Sequence, residues 1–362
     1  MITTTIFPGR YVQGQGALSL LAEETKRLAS KALIIVDPAV SSLLETLLTA
    51  DAEVSLTSAP FGGECSDEEI ARLTELAKGC AAGAIVGLGG GKALDTAKAV
   101  AHALGLPVII VPTLASTDAP CSALSVIYTT EGAFKRYLLL PRNPDVVLVD
   151  SEIILNAPVR FLVSGMGDAL STWFEAEDCR LSGAGNMTGR PGSMTAIALA
   201  KLCFETLMAD GADAIQAMKD KEVTPALERI IEANTLLSGL GFESGGLSGA
   251  HAIHNGLTVL PETHHYWHGE KVAIGTLALI MLTDKPAELK NKAFDFCQAV
   301  GLPICLADIG LDTPTDAQLM RVAQQACAPG ETIHNIKGGV TPEQVLAAIK
   351  AVDAEGRRRK GS

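Results

Sequence analysis

The 362-residue chain contains eight cysteines, at 65, 80, 121, 179, 203, 297, 305 and 327, yet no Cys-x-x-Cys pair. No dithiol framework is implied, and the cysteines read as reduced, mostly buried thiols of a cytosolic protein. The N-terminal MITTTIFPGRYVQG lacks a basic stretch followed by an apolar one, so no signal peptide is expected. Long apolar runs are missing too. The longest, at 97–112, is broken by Lys98, His102, Gly105 and Pro107, which excludes a membrane span. Positive charge is in deficit, with 29 Lys and Arg against 41 Asp and Glu, a net −12. That balance speaks against nucleic acid or an anionic membrane as partner. Two stretches, 113–134 and 243–270, hold no Lys or Arg at all. A substrate phosphate would want such a cation, so a neutral small molecule is the better expectation.

Apolar residues make up 48% of the chain and charged residues 19%, enough to bury large cores, and the length suggests two domains. In the first part, β-branched runs at 32–36 (ALIIV), 53–57, 84–88 (AIVGL), 108–111 (VIIV) and 146–149 (VVLV) read as strands. Segments 42–49, 67–78 and 94–104 between them read as helices, with SDEE at 66–69 as an acidic first turn. Buried strands alternating with helices predict a parallel, doubly wound sheet. Beyond Pro158 strand signals fade, and 167–178, 194–210, 224–240, the histidine region, 286–300, 316–328 and 341–355 read as helical. The expected architecture is an N-terminal Rossmann-like α/β domain, 1–158, followed by an all-α domain, 159–362. The RRRK run at 357–360 is expected to be a solvated tail.

Three segments carry candidate chemistry. The strand at 84–88 runs into Gly89-Gly90-Gly91-Lys92 and then a helix. Glycines let a backbone approach a pyrophosphate, and a helix start offers free N–H groups. The run is neither G-x-G-x-x-G, because Lys92 fills the third position, nor a P-loop, because Val86 and Ala93 break that pattern. Asp37 ends the first strand, where it can accept hydrogen bonds from an adenosine ribose and favour NAD over NADP, or simply serve the turn before Pro38. The segment 112–128, PTLASTDAPCSALSVIY, is dense in hydroxyls around Asp118 and suits a polyol or a carboxamide, or else a self-capped loop.

A dispersed set of possible metal ligands completes the inventory: Asp168 in GMGDAL, His251 in GGLSGAHAIHNG and His268 in HHYWHGE. One carboxylate and two imidazoles suit Zn²⁺ with a fourth position open. Spacing alone leaves their convergence open, and Asp168 reads equally well as a helix-start carboxylate.

In order along the chain, GGGKALDTAK, STDAPCSALSVIY, GMGDAL, GFESGGLSGAHAIHNGL and HHYWHGEKVA closely resemble the bacterial glycerol dehydrogenase branch of the metal-dependent, iron-containing type alcohol dehydrogenase family. The likeness runs from FPGRYVQG to GETIHNIKGG. It implies NAD and Zn²⁺ as cofactors, a small polyol as substrate, a cytoplasmic location and a homo-oligomer, commonly an octamer. It would set Asp37, Gly91, Lys92, Thr113, Ser116, Ser122, Leu124 and Tyr128 around NAD. Asp118 would lie near a substrate hydroxyl, and Asp168, His251 and His268 would hold the metal, with His251 also close to the substrate. Iron-dependent relatives place a histidine one helical turn after the aspartate, where this chain has Thr172. A hydroxyl replaces imidazole poorly, so three ligands and zinc are expected here. His254 shares a helical face with His251 and is a candidate for the proton route; His264 and His265 are weaker ligand alternatives, and His102 and His334 are expected to be structural.

The reaction so implied is reversible oxidation of a vicinal diol such as glycerol to a hydroxyketone such as dihydroxyacetone. Alternatives are a dehydrogenase of a phosphorylated polyol such as glycerol 1-phosphate, a dehydroquinate-synthase-like lyase, and a non-catalytic NAD- and metal-binding regulatory protein.

Overall fold

A computed structural model describes residues 2–47 and 53–361. The chain divides into two compact units: Ile6–Pro158 with Lys221–Val223, and Met1–Thr5 with Val159–Asp220 and Thr224–Ser362.

The first unit is α/β. In chain order it contains β1 (Tyr11–Gly14), α1 (Leu21–Lys26), β2 (Lys31–Val36), α2 (Leu44–Leu47), β3 (Ser55–Pro60), α3 (Asp67–Gly79) and β4 (Ala84–Gly89). There follow α4 (Gly91–Leu104), β5 (Val108–Pro112), β6 (Leu124–Tyr128), β7 (Phe134–Leu139), β8 (Val146–Asp150) and α5 (Ser151–Asn156). Six strands form one parallel sheet in the order β1-β8-β5-β4-β2-β3. The inner strands β4, β5 and β8 are buried at every position, as strands covered on both faces must be. After β2 the chain steps outward to β3, and after β4 it steps the other way to β5. The switch point therefore lies between the C-terminal ends of β2 and β4, where doubly wound sheets bind ligands.

Local chemistry explains the helices beside that point. Ser66 caps α3 by accepting from the Glu69 N–H, and Asp67, Glu68 and Glu69 sit in its first turn. α4 is alanine-rich and ends on Gly105 in the left-handed conformation, φ 66°. It packs tightly on β4 because Gly87 has no side chain; a Cβ there would lie 2.6 Å from that of Ala97.

Several sequence expectations need correction. The strand expected at 53–57 lies at Ser55–Pro60, an edge strand in which only Ala59 is buried, so hydrophobic alternation gave no register. The helix expected at 42–49 begins as a 3-10 turn, Pro38–Leu43, and continues as α2; positions 48 and 49 lie outside the described residues. β1 and the antiparallel β6–β7 hairpin have no counterpart in the sequence reading. β7 (FKRYLL) is almost wholly exposed and so carries no apolar period.

The second unit is helical among its described residues: α6 (Val159–Ser182), α7 (Met194–Asp220), α8 (Pro225–Glu232), α9 (Ser238–Gly245), α10 (Gly249–Leu257), α11 (His268–Leu282), α12 (Ala287–Val300), α13 (Asp316–Ala326) and α14 (Pro342–Lys360). The single helix expected over 224–240 is interrupted by a π-helical turn, Ala233–Leu237, between α8 and α9. The RRRK run is not a solvated tail. It forms the last turn of α14, where Arg357 pairs with Asp353, Arg358 with Glu355, Arg359 with Asp295 and Glu355, and Lys360 with Asp308. Cations there complement the helix dipole and face acids one turn back. No helix among the described residues is long and apolar enough to cross a membrane.

α11 is the axis of this unit. Every residue from Gly269 to Ile280 is buried, and α6, α10, α12 and α14 pack around it. Glycines set how close its neighbours come. A Cβ on Gly269 would overlap the Ser164 carbonyl oxygen of α6, and one on Gly167 would overlap the Gly269 carbonyl oxygen. Midway along α11, a Cβ on Gly275 would overlap the Ala250 carbonyl oxygen of α10. The helices touch backbone to backbone.

Gly269→Ala should force α6 and α11 apart at a cost of about 1–3 kcal/mol or more. The expected result is a lower melting temperature in the metal-free protein together with weaker metal binding; an unchanged melting curve would contradict the tight crossing.

Candidate metal centre and nucleotide turn

The α6–α11 crossing puts Asp168 next to His268. Asp168 Oδ1 lies 3.2 Å from His268 Nε2 and 3.4 Å from His251 Nε2, the latter projecting from the first turn of α10. The ligand atoms of all three residues fall within 4.8 Å of one another. In a tetrahedral zinc site with bonds of roughly 2.0–2.1 Å, ligand atoms stand about 3.3 Å apart. A charge-assisted N–H···O bond would be shorter, at about 2.7–2.9 Å. The spacing therefore fits a shared cation better than a set of mutual hydrogen bonds. Access is graded, with side-chain exposures of 1% for Asp168, 16% for His251 and 38% for His268. A fourth ligand can enter on the His268 side, as a catalytic centre requires.

His251 and the start of α11 are braced from behind. Glu175, fully buried on α6, accepts from His251 Nδ1 at 2.6 Å and from the backbone N–H groups of Ser248 and His251 at 2.9 and 3.1 Å. The carboxylate thus satisfies the start of α10 and fixes the imidazole with its proton on Nδ1, leaving Nε2 for a metal. At α11, Glu270 accepts from the Trp267 N–H at 2.8 Å and from Arg160 of α6 through two bonds, at 2.6 and 2.8 Å. Trp267 also packs on Phe161, with ring centroids 4.9 Å apart. The first turn of α6 thereby anchors the residue next to His268.

Charge follows this geometry. Burial alone would raise the Asp168 carboxyl, but His268 and His251 overcome it and hold that group well below the usual carboxylate range. Burial alone would depress His251; Glu175, with Asp168, reverses that and lifts it well above an ordinary imidazole. His254 is driven well below the ordinary value by burial and by His268, His251 and Lys271, so it is neutral. Its ring meets that of His268 edge-on at 4.3 Å, and its Nδ1 lies 3.2 Å from Asn255 Oδ1.

Thr172 does not join the ligands. Its hydroxyl lies 3.0 Å from that of Ser238 at the start of α9. His264 is hydrogen-bonded to the Thr258 carbonyl and His334 to the Ala328 carbonyl. Burial pushes the thiols of Cys65, Cys179 and Cys297 up to about 12, which leaves them no thiolate chemistry at neutral pH.

In the α/β unit, Asp37 directly follows β2, and Gly89 ends β4 with Gly90 and Gly91 leading into α4, on the two sides of the switch point. A Cβ on Gly89 would lie 2.6 Å from that of Asp37, and the Thr113 N–H donates to the Gly89 carbonyl at 3.0 Å. Asp37 also accepts from the Ala39 N–H at 3.0 Å, so it serves the turn before Pro38 as well. Gly90 starts α4 with no side-chain cap, and nothing lies within 4 Å of a Cβ placed on Gly91. A helix start with no side-chain cap and open space beside Gly91 is suited to a diphosphate. Lys92 follows, bound to both oxygens of Glu64 and lying over the Tyr128 ring.

Ser116, Asp118 and Leu124 are half-buried and Ser122 is buried, all on the segment leading from β5 into β6. That segment is tied to α4 by Lys98, which is 1% exposed and invisible as a functional residue in the sequence. Its ammonium donates to the carbonyls of Ala119, Ser122 and Leu124 and pairs with Asp95 at 2.9 Å. Asp95 in turn accepts from the Val126 N–H at 2.9 Å. Glu175 was also missed, although it lies seven residues, two helical turns, after Asp168 and shares its face.

The family described as iron-containing alcohol dehydrogenase matches residues 8–151. Glycerol dehydrogenase of Thermotoga maritima is 61% identical over 362 residues, covering 99% of both chains. Glycerol dehydrogenase of Escherichia coli is 53% identical over 354 residues, covering 97% of this chain and 96% of that one. Among solved structures, a probable glycerol dehydrogenase from Sinorhizobium meliloti superposes with a TM-score of 0.92 at 44% identity, covering 99% of this chain and 100% of the other.

Glu175→Gln removes the acceptor behind His251 while keeping its shape, and should weaken metal affinity by about 10- to 100-fold. Competition with a chromogenic chelator measures this, and wild-type affinity in the variant would refute the bracing role.

Proposed function

The chain belongs to the iron-containing alcohol dehydrogenase family, and from that premise we propose that it catalyses the NAD- and zinc-dependent, reversible oxidation of glycerol and related vicinal diols to hydroxyketones such as dihydroxyacetone. The observation that carries this is the Asp168–His251–His268 cluster, with ligand spacings of 3.2 and 3.4 Å and one accessible side. The names of the relatives supply the substrate class. A bound divalent metal supplies Lewis acidity toward a hydroxyl, and bound NAD supplies the hydride acceptor.

The chain's own residues do the rest. Asp168, 1% exposed, would contribute the anionic ligand, and His251 and His268 would contribute their Nε2 atoms, the cation displacing the proton on His251 Nε2. Glu175 keeps the His251 proton on Nδ1, away from the ligand position. Asp118 holds a substrate hydroxyl. The uncapped start of α4 at Gly90–Gly91 receives the diphosphate, and Asp37 the adenosine ribose. Thr113, Ser116, Ser122, Leu124 and Tyr128 line the remainder of the nucleotide site. Zinc is the metal we expect: Thr172, whose hydroxyl is engaged with Ser238, leaves a three-residue set with a fourth tetrahedral position open. A phosphorylated substrate is disfavoured because the segments 113–134 and 243–270 carry no Lys or Arg. A cytoplasmic homo-oligomer remains the expected form.

NADH formation from glycerol, 1,2-propanediol, 2,3-butanediol and glycerol 1-phosphate tests the proposal, using metal-free and zinc-reloaded protein. Glycerol and the diols should turn over only after reloading; silence on all of them would overturn the proposal, and activity on glycerol 1-phosphate alone would select a phosphate-specific enzyme. Asp168→Asn and His268→Ala should each lose most of the metal and the activity while binding NAD as before. Gly91→Ala should fold normally, since no protein atom opposes the new methyl group. Its NAD affinity should drop by about tenfold as the methyl enters the diphosphate cradle; unchanged affinity would remove Gly91 from the site.

A further inference from the structure

The cation at the start of α4 is held by an acid that nothing so far explains. Lys92 Nζ lies 2.6 Å from both carboxylate oxygens of Glu64 and 4.8 Å above the Tyr128 ring. Attraction to Lys92 is not what places Glu64. The Tyr128 N–H donates to the Cys65 carbonyl at 2.9 Å, and Ser66 forms a parallel bridge with Tyr128. These main-chain contacts fix the 64–66 segment against the strand carrying Tyr128. Gly132 closes the other side, where an added Cβ would come within 3.2 Å of Glu64 Oε1. A carboxylate is therefore held at Lys92, the residue directly after the glycine turn, whose N–H groups suit a diphosphate.

We propose that Glu64 is an internal counter-anion that sets nucleotide affinity, occupying the Lys92 ammonium in the free protein and opposing the diphosphate when the dinucleotide enters. This rests on the NAD reading above. A like charge beside a bound diphosphate, at an effective dielectric between bulk water and protein, weakens binding by about three- to tenfold. The pair is half exposed, with side chains 42% and 29% accessible, so salt screens the effect. The arrangement leaves the backbone donors of the turn intact for orienting the cofactor while lowering its residence time. A dehydrogenase must release the reduced cofactor in every cycle, and a repelling charge speeds that step without loosening the geometry. The competing role, a brace holding the Lys92 stem over Tyr128, predicts the opposite sign.

The test compares the full-length, metal-loaded wild type with Glu64→Gln. NADH binding is followed by fluorescence titration and NADH dissociation by stopped flow, with ADP and adenosine as competitors. The variant should bind NADH and ADP about three- to tenfold tighter and release NADH correspondingly more slowly, with the gain shrinking at high salt. Adenosine, which lacks phosphate, should bind both proteins equally. Unchanged or weaker binding of NADH and ADP would overturn the proposal, as would an equal gain for adenosine, which would mean shape and not charge is at work. A wild-type protein that binds no NADH would sink the NAD reading itself, an outcome distinct from a variant that merely fails to tighten.

Discussion

The contact on which the candidate metal centre depends is a helix crossing without side chains. Packed helices ordinarily stand about 8–10 Å apart, a distance set by the residues between them. At Gly167 and Gly269 nothing intervenes, and each glycine rests on the other helix's backbone. Each is the immediate neighbour of a ligand, Asp168 in one case and His268 in the other. The glycines thus convert a general feature of packing into an interatomic distance: with α6 and α11 in backbone contact, a short carboxylate can stand 3.2 Å from an imidazole on the opposite helix. The second approach, at Gly275 against Ala250, brings α10 to the same axis and with it His251.

Two carboxylates on α6 then divide the electrostatic work. Asp168 faces the Nε2 atoms where a cation belongs, and Glu175 stands behind His251 at Nδ1. Their burial is nearly equal and their tasks differ only by which side of the imidazole they meet. The α/β unit repeats the strategy with opposite charge. Lys98 is a buried cation whose partners are mostly main-chain carbonyls, and it folds a segment that contains no cation of its own. In both units a buried ionic group organises backbone as much as it pairs with another charge.

Much of this was legible in the chain. Alternating apolar runs gave the parallel sheet because its inner strands are covered on both faces, and Asp168, His251 and His268 stood out by residue type and motif. Edge elements were poorly marked: β1 and β7 escaped and the strand read at 53–57 lies at Ser55–Pro60, because they bury too little for periodicity to show, and the π-helical turn at Ala233–Leu237 hides inside a continuous helical pattern. The RRRK run looked like a tail because its partners Asp295 and Asp308 lie more than forty residues away in sequence. Glu175 and Lys98 were missed for a common reason. Each acts on groups distant in sequence, and a lone acid or base on an amphipathic helix resembles any solvated residue until the helix is placed. The i,i+7 relation of Asp168 and Glu175 was the one available signal.

The wide separation of the three ligands has a thermodynamic consequence. They come from α6, α10 and α11, and α11 has no polar face with which to stand alone in water. An unfolded chain therefore offers no preformed site, and affinity for the ion is at the same time free energy of folding for the helical unit. Occupancy stabilises that unit in proportion to the logarithm of free metal concentration over its dissociation constant. An ion held by these three residues would also act as a rivet through three helices, so metal supply would govern how long this half of the protein persists as well as how fast it works.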